Sequence, residues 1–408
     1  MFKTLSRLNA GSRAQEPFNL HDFHPPLCTE LLILQPTPFC NLDCDYCYLP
    51  NRDSRSRMSL DTIGYIAQRL LEVGLLGPRV TVVWHAGEPL VVPPAYYASA
   101  FSLLDDMLGR QCSVFHAIQT NATLIDDAWC ALFKDYQVRV GVSVDGPKHV
   151  HDRHRKTRQG KGSHAQVLRG LESLRRYGVP FHVIAVVTAD SLLLADELYD
   201  FFSSQEIQEV GFNFDEAEGA YACSSLQGQD TAHRAFLDRS LEHSIAACGH
   251  YQIRELASAL RVIAQGLPQY MWRGEPWPEN AQTIPFRIIT VGWNGDFSTF
   301  SPELLGQSSA EFENFVLGNV VRSGFLQAAN TPGFLKMWHL IREGTAACQR
   351  TCAYFQYCGG GAPVNKLYEN GSFASAETLY CRTMFKRPFD VVLERLERES
   401  CSTSEVTP

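Results

Sequence analysis

Pro38-Phe39-Cys40-Asn41-Leu42-Asp43-Cys44-Asp45-Tyr46-Cys47-Tyr48-Leu49-Pro50 sets three thiols in one loop, directly after the apolar run Leu31-Leu32-Ile33-Leu34. Three thiolates at C-x3-C-x2-C spacing ligate three irons of a [4Fe-4S] cube and leave the fourth without a protein ligand, whereas electron-transfer clusters usually take four cysteines. That open corner is the chemically useful part. The competing occupant is zinc, which asks for a fourth Cys or His in tetrahedral geometry. His21 and His24 are the only local candidates, and the cluster is the better reading.

The rest of the composition is that of a soluble globular protein. The chain has 408 residues, 45% hydrophobic and 20% charged, enough for a large core and two or three domains. No apolar run approaches the length of a membrane span, and Met1 to Gln15 lacks an apolar secretory segment, so a cytoplasmic location without membrane partners is expected. Thirteen cysteines would be odd as a disulfide framework there, and seven of them form two tight arrays, which points to metal or cluster ligation. Cys28, Cys112, Cys130, Cys223, Cys248 and Cys401 are scattered and read as small buried or incidental residues. A net charge of -8 argues against nucleic acid as the main partner.

Residues 1–30, with Pro25-Pro26, read as an irregular arm. Ser59 is placed to cap a helix carrying Ile63, Ile66, Leu70 and Leu71. Helical and extended patterns then alternate: strand 80–84, helix 97–108, strand 114–119, helix 128–133, strand 138–144, helix 166–177, strand 181–187, helix 193–202, strand 210–214. With the run at Leu31 this gives six strands separated by helices. The pattern implies an α/β fold with a parallel sheet, an open partial (β/α)6 barrel whose ligands sit at the carboxyl ends of the strands.

The residues at those ends are polar. The second strand runs into His85-Ala86-Gly87-Glu88-Pro89, where Gly87 allows close backbone approach and Glu88 suits an ammonium group. The third ends in Gln119-Thr120-Asn121 and the fourth in Ser143-Val144-Asp145-Gly146-Pro147, with Arg155 following. The sixth leads into Asp215-Glu216-Ala217-Glu218, and Asp215 and Glu216 are the candidate general bases. Their alternative role is an acidic turn that caps the next segment.

Beyond the barrel, 221–247 reads as a polar helix, 288–300 as a hairpin turning at Asn294-Gly295, and 333–342 as a helix ending near Gly344. Cys348, Cys352, Cys358 and Cys381 form the second array, with Gly359-Gly360-Gly361 letting backbone N–H groups approach sulfur. Four thiolates fill a whole cluster, which suits electron transfer or structure, and structural zinc is the runner-up.

The first loop, with an aromatic before its third cysteine, resembles the signature of radical S-adenosylmethionine (SAM) enzymes. The resemblance assigns cofactor contacts to Tyr46, to Gly87 and Glu88 (matching a GGEP motif whose first glycine is Ala86 here), to Ser143 and to Arg155. The second array resembles the SPASM extension of peptide-modifying members, depleted at Ala362, so that one auxiliary [4Fe-4S] cluster is expected rather than two. With Leu34-Gln35-Pro36-Thr37-Pro38-Phe39-Cys40, Ser298-Thr299-Phe300-Ser301-Pro302-Glu303-Leu304 and Cys358-Gly-Gly-Gly-Ala-Pro-Val-Asn365-Lys366, the chain is similar to the cyclophane-forming maturases of the GrrM/OscB group. It then divides into an arm (1–30), a radical SAM partial barrel (31–220), a bridging region with the hairpin (221–340) and an SPASM-like auxiliary-cluster domain (341–408).

This resemblance implies a carbon–carbon crosslink between an aromatic ring and a nearby β-carbon of a ribosomally made precursor peptide, with electrons from an external reductant such as flavodoxin or ferredoxin. Thioether formation or formylglycine maturation of sulfatases would use the same cofactor and a similar scaffold. A non-catalytic iron–sulfur electron carrier is the rival of another class. It has no use for an open iron, Glu88 or Ser143.

Overall fold

The structure, a computed structural model, describes residues 18–404 apart from 73, 218, 220 and 222. The six expected strands are all present as β1 (Thr29–Gln35), β2 (Leu76–Trp84), β3 (Ser113–Thr120), β4 (Arg139–Ser143), β5 (Phe181–Val187) and β6 (Glu209–Phe214). They pair in parallel in chain order, with Leu34 beside Trp84, Trp84 beside Ile118, Thr120 beside Val142, Ser143 beside Ile184 and Val187 beside Phe214. This register aligns the carboxyl ends, so the polar clusters converge on one edge. Leu32, Ile33 and Leu34 are all buried, as expected for a parallel strand covered on both faces.

The intervening helices are α1 (Leu60–Glu72), α2 (Pro94–Leu108), α3 (Asp127–Asp135), α4 (Lys148–His154), α5 (His164–Tyr177) and α6 (Ala195–Ser204). On α1 the side chains of Ile63, Ile66, Ala67 and Leu70 are fully buried. Their spacing puts them on one face, and burying each large one contributes roughly 1.5–3 kcal/mol. Ser59 caps this helix as expected, its Oγ accepting the Thr62 N–H at 3.0 Å.

The sheet does not stop at six strands. Ile288–Gly292 lies parallel to β1, and Asp296–Thr299 returns antiparallel through the turn at Gly295, whose φ of 84° asks for glycine. The hairpin is therefore hydrogen-bonded to the barrel edge, and short pairs at Gly318–Asn319 and Gln252–Ile253 bring the sheet to ten strands. Among the described residues of the arm, Phe23–His24 forms a strand in a second small sheet with Gln269–Trp272.

Two helical expectations change. The helix expected over 221–247 begins at Asp230, after turns that hold 223–229. The helix expected to stop near Gly344 spans Pro332–Thr351 and carries Cys348. Gly344 serves close packing instead of termination, because a Cβ there would sit 2.1 Å from the Phe373 carbonyl oxygen. No described helix is long and apolar enough to cross a membrane.

Candidate active site

The cysteine loop is strapped to the segment after α4. Asp43 N–H donates to Lys156 O at 2.7 Å, Asp45 N–H to His154 O at 3.2 Å, and Arg158 Nε to Cys40 O at 2.7 Å. From the other side the Asn121 amide donates to Asn41 Oδ1 at 2.8 Å. The loop thus sits fixed over the carboxyl ends of β1 to β4.

Beneath it is a cavity of about 310 Å³. Its lining includes Cys40, Cys44 and Cys47 together with Tyr46, Gly87, Glu88, Ser143, Arg155, Asp215 and Glu216. The three cysteines, the residues that the resemblance assigned to the cofactor and both candidate bases therefore line one chamber. His21 and His24, the local candidates for a zinc site, are exposed and not part of its lining.

Glu88 is 1% exposed and is held by three donors: Leu90 N–H at 3.0 Å, Thr120 Oγ1 at 2.7 Å and Asn121 N–H at 2.8 Å. Burial pushes its carboxyl up to about 7, and the three hydrogen bonds pull the other way. A cationic ligand in the cavity would complete the ionised form. Gly87 has φ 57°, and a Cβ there would lie 2.5 Å from Phe39 O. The motif's backbone is wedged against the cysteine loop, and only glycine fits.

Arg155 does not float in solvent. It is buried, and its Nε and Nη2 donate to Asp145 at 2.9 and 3.0 Å. Asp145 also accepts the Tyr46 hydroxyl at 2.5 Å and Val186 N–H at 2.9 Å. Burial opposes both charges, but the mutual attraction holds the Asp145 carboxyl below its usual range and the Arg155 guanidinium above its own. Asp145 is a site residue that the strand-end reading passed over. Its place at the end of β4, two residues after Ser143, was the available signal. Ser143 Oγ itself accepts from Gln119 Nε2 at 3.0 Å.

The two candidate bases are not equivalent. Asp215 accepts the Ser225 N–H at 2.6 Å, so its carboxyl partly caps the following turn. Glu216 receives the Asn365 amide at 2.7 Å. Burial, then the nearby carboxyls of Glu303, Glu369 and Asp215, push it up to about 8 against that hydrogen bond. Glu303, which also lines the cavity, was quoted in the sequence only as part of a string. Glu218 lies outside the described residues.

The second array is built by the glycines. Gly359, Gly360 and Gly361 have φ of 63°, 105° and 73°, and the backbone N–H groups of Gly360 and Gly361 pull the Cys358 thiol down against the burial that raises it. A Cβ on Gly361 would sit 3.0 Å from Cys381 Sγ, and one on Gly360 would sit 2.8 Å from Thr345. The triple glycine that follows Cys358 therefore passes close to the other thiols of the array, with Gly361 against Cys381 and the Cys348 sulfur 3.8 Å from Gly360 O. Among the described residues no three Cys, His, Asp or Glu groups converge on a single point. A cube asks its thiolates to reach separate irons, and both arrays fit that demand by donor type and count. Of the scattered cysteines, Cys112 and Cys130 are buried and Cys223 and Cys248 exposed. The side chain of Cys401 lies outside the described residues.

The sequence profile of the radical SAM superfamily matches residues 34–200. "Uncharacterized protein sll1766" of Synechocystis sp. is 39% identical over 375 residues, which is 90% of this chain and 92% of that protein. The serine-type anaerobic sulfatase-maturating enzyme of Bacteroides thetaiotaomicron is 32% identical over 179 residues, 42% of this chain and 43% of its own length. Less than half of that enzyme is therefore spanned. Among solved structures, anSMEcpe with bound AdoMet and Cp18Cys peptide superimposes with a TM-score of 0.73 at 21% identity, over 92% of this chain and 99% of the other. Streptococcus suis SuiB bound to precursor peptide SuiA gives 0.57 at 18% identity, over 87% and 76%. Both likenesses are of fold.

Proposed function

Since the chain belongs to the radical SAM superfamily, enzymes that use a [4Fe-4S] cluster and S-adenosylmethionine, we propose that it is a peptide maturase that forms a cyclophane. The crosslink joins an aromatic ring to a nearby β-carbon of a ribosomally synthesised precursor peptide. The observation that supports this reading is one chamber lined by Cys40, Cys44 and Cys47, by Glu88, Ser143 and Arg155, and by the buried Glu216. When bound, the first cluster with its nucleoside would supply hydrogen-atom abstraction, and the auxiliary cluster would supply a one-electron sink.

The chain's own residues do the rest. Cys40, Cys44 and Cys47 would hold the first cluster, and Cys348, Cys352, Cys358 and Cys381 would hold the auxiliary one. Glu88 accepts the ammonium of the nucleoside's methionine, and Ser143 and Arg155 hold its ribose and carboxylate, with Tyr46 and Asp145 fixing the guanidinium. Addition of a carbon radical to an aromatic ring leaves one proton and one electron in excess. Glu216 takes the proton, since burial sets its carboxyl near the range where a base works at neutral pH. An external reductant such as flavodoxin or ferredoxin supplies the starting electron.

The similarity to sulfatase-maturating enzymes, whose fold spans nearly the whole chain, keeps formylglycine formation as the second reading. Coexpression with short open reading frames that flank the gene, followed by mass spectrometry, separates the two. The expected product has lost two hydrogens, located at an aromatic ring and a neighbouring β-carbon. A thioether or an aldehyde overturns the cyclophane assignment.

A further inference from the structure

The helix Pro363–Asn370 stands between the chamber and the second cysteine array, and two successive residues on it face different neighbours. Asn365 donates to Glu216 in the chamber, while Lys366 extends its ammonium to within 3.2 Å of Cys348 Sγ. Lys366 is 1% exposed, and among the described residues it makes no ion pair with a carboxylate. Burying an ammonium costs several kcal/mol unless an anion compensates it. A protonated thiol is a weak acceptor and does not compensate it. A thiolate that ligates an iron–sulfur cluster does, because the cluster and its four thiolates carry net negative charge.

We propose that Lys366 sets the reduction potential of the auxiliary cluster, acting through the sulfur of Cys348. Reduction places one more negative charge beside the ammonium, so the buried cation stabilises the reduced form over the oxidised one and raises the potential. Net charge and hydrogen bonds to sulfur are the levers by which proteins move such potentials. The functional consequence is a better electron acceptor next to the chamber where the proposed crosslink forms. Lys366 is a tuning residue that touches neither substrate nor nucleoside. The inference rests on the reading that Cys348, Cys352, Cys358 and Cys381 hold a cluster.

The test is a reductive titration of the anaerobically reconstituted enzyme, followed by electron paramagnetic resonance, in wild type, Lys366→Gln and Lys366→Arg. A background lacking Cys40, Cys44 and Cys47 isolates the auxiliary signal. Lys366→Gln is expected to disfavour reduction at least tenfold, about 59 mV lower for one electron, at unchanged iron content, with Lys366→Arg close to wild type. An unchanged midpoint in Lys366→Gln overturns the proposal. So does an equal fall in both variants, or loss of the cluster iron in both, since each marks a packing role. A wild-type background without a second iron–sulfur signal refutes the cluster reading itself, and that result is distinct from a cluster whose potential ignores Lys366.

Discussion

The side-chain amide of Asn365 donates to the carboxyl of Glu216 over 2.7 Å, although the two are 149 positions apart. One partner follows the last barrel strand and the other follows the glycine run of the second cysteine array, so this bond ties the chamber wall to the C-terminal region. It also biases Glu216 toward its charged form, against burial and the neighbouring carboxyls.

If Glu216 is the base, it must be ionised to work. Its carboxyl is raised to about 8, so it is mostly protonated at pH 6 and becomes competent as the pH passes 8. Product formation is expected to rise through that window. Glu216→Gln should lower product by about 10²-fold or more while 5′-deoxyadenosine still forms. Asn365→Ala removes a donor to the ionised form and should move the profile to higher pH. Parallel assays of crosslinked peptide and 5′-deoxyadenosine against pH check all three. An unaltered product yield in Glu216→Gln transfers the role to Asp215 or Glu303.

The two cysteine arrays should be separable. Replacing Cys40, Cys44 and Cys47 by Ala is expected to remove half of the iron and all 5′-deoxyadenosine formation. Replacing Cys348, Cys352, Cys358 and Cys381 should remove the other half, leave nucleoside cleavage measurable and abolish product. Iron determination with chromatography of the nucleoside products reads both. Zinc in place of iron after anaerobic purification would refute the second assignment.

Asp145 and Arg155 form a buried pair, and removing one member leaves the other uncompensated. Arg155→Met is expected to cost roughly 3–5 kcal/mol of stability, read from the midpoint of urea unfolding. Tyr46→Phe, which removes one hydrogen bond to the same carboxylate, should cost roughly 1.5–3 kcal/mol. Equal losses in the two variants would show that the guanidinium's charge is not what the site depends on.

Ala86 sits at φ 73° where the related motif carries glycine. The left-handed conformation costs a non-glycine residue roughly 1–2 kcal/mol, and glycine adds about 0.4–1 kcal/mol of unfolded-state entropy. Ala86→Gly is therefore expected to stabilise the fold by roughly 0–1.6 kcal/mol. Gly87→Ala, with its Cβ 2.5 Å from Phe39 O, should destabilise it and weaken nucleoside binding. Thermal unfolding and calorimetric titration measure the pair.

Local chemistry alone located the barrel strands, the two arrays and the Asn294-Gly295 turn. Spacing of apolar residues, cysteine separation and turn preference are properties of neighbours in the chain. What failed were inferences about what a residue meets across the fold. Gly344 reads as a helix end until the Phe373 carbonyl is seen against it. Nothing in the residues around Arg155 shows that Asp145 will close on it from the end of the fourth strand.

The sequence by itself determined that three thiols stand in a loop after the first strand of a parallel α/β sheet, because strand period and ligand spacing are written in consecutive residues. Only the tertiary structure decided that Glu216 is gripped by Asn365 while Asp215 caps a turn, and that Lys366 is buried against Cys348. Those contacts join residues far apart in the chain. Burial and the charges around a group, which set its chemistry, exist only once the chain has closed around it.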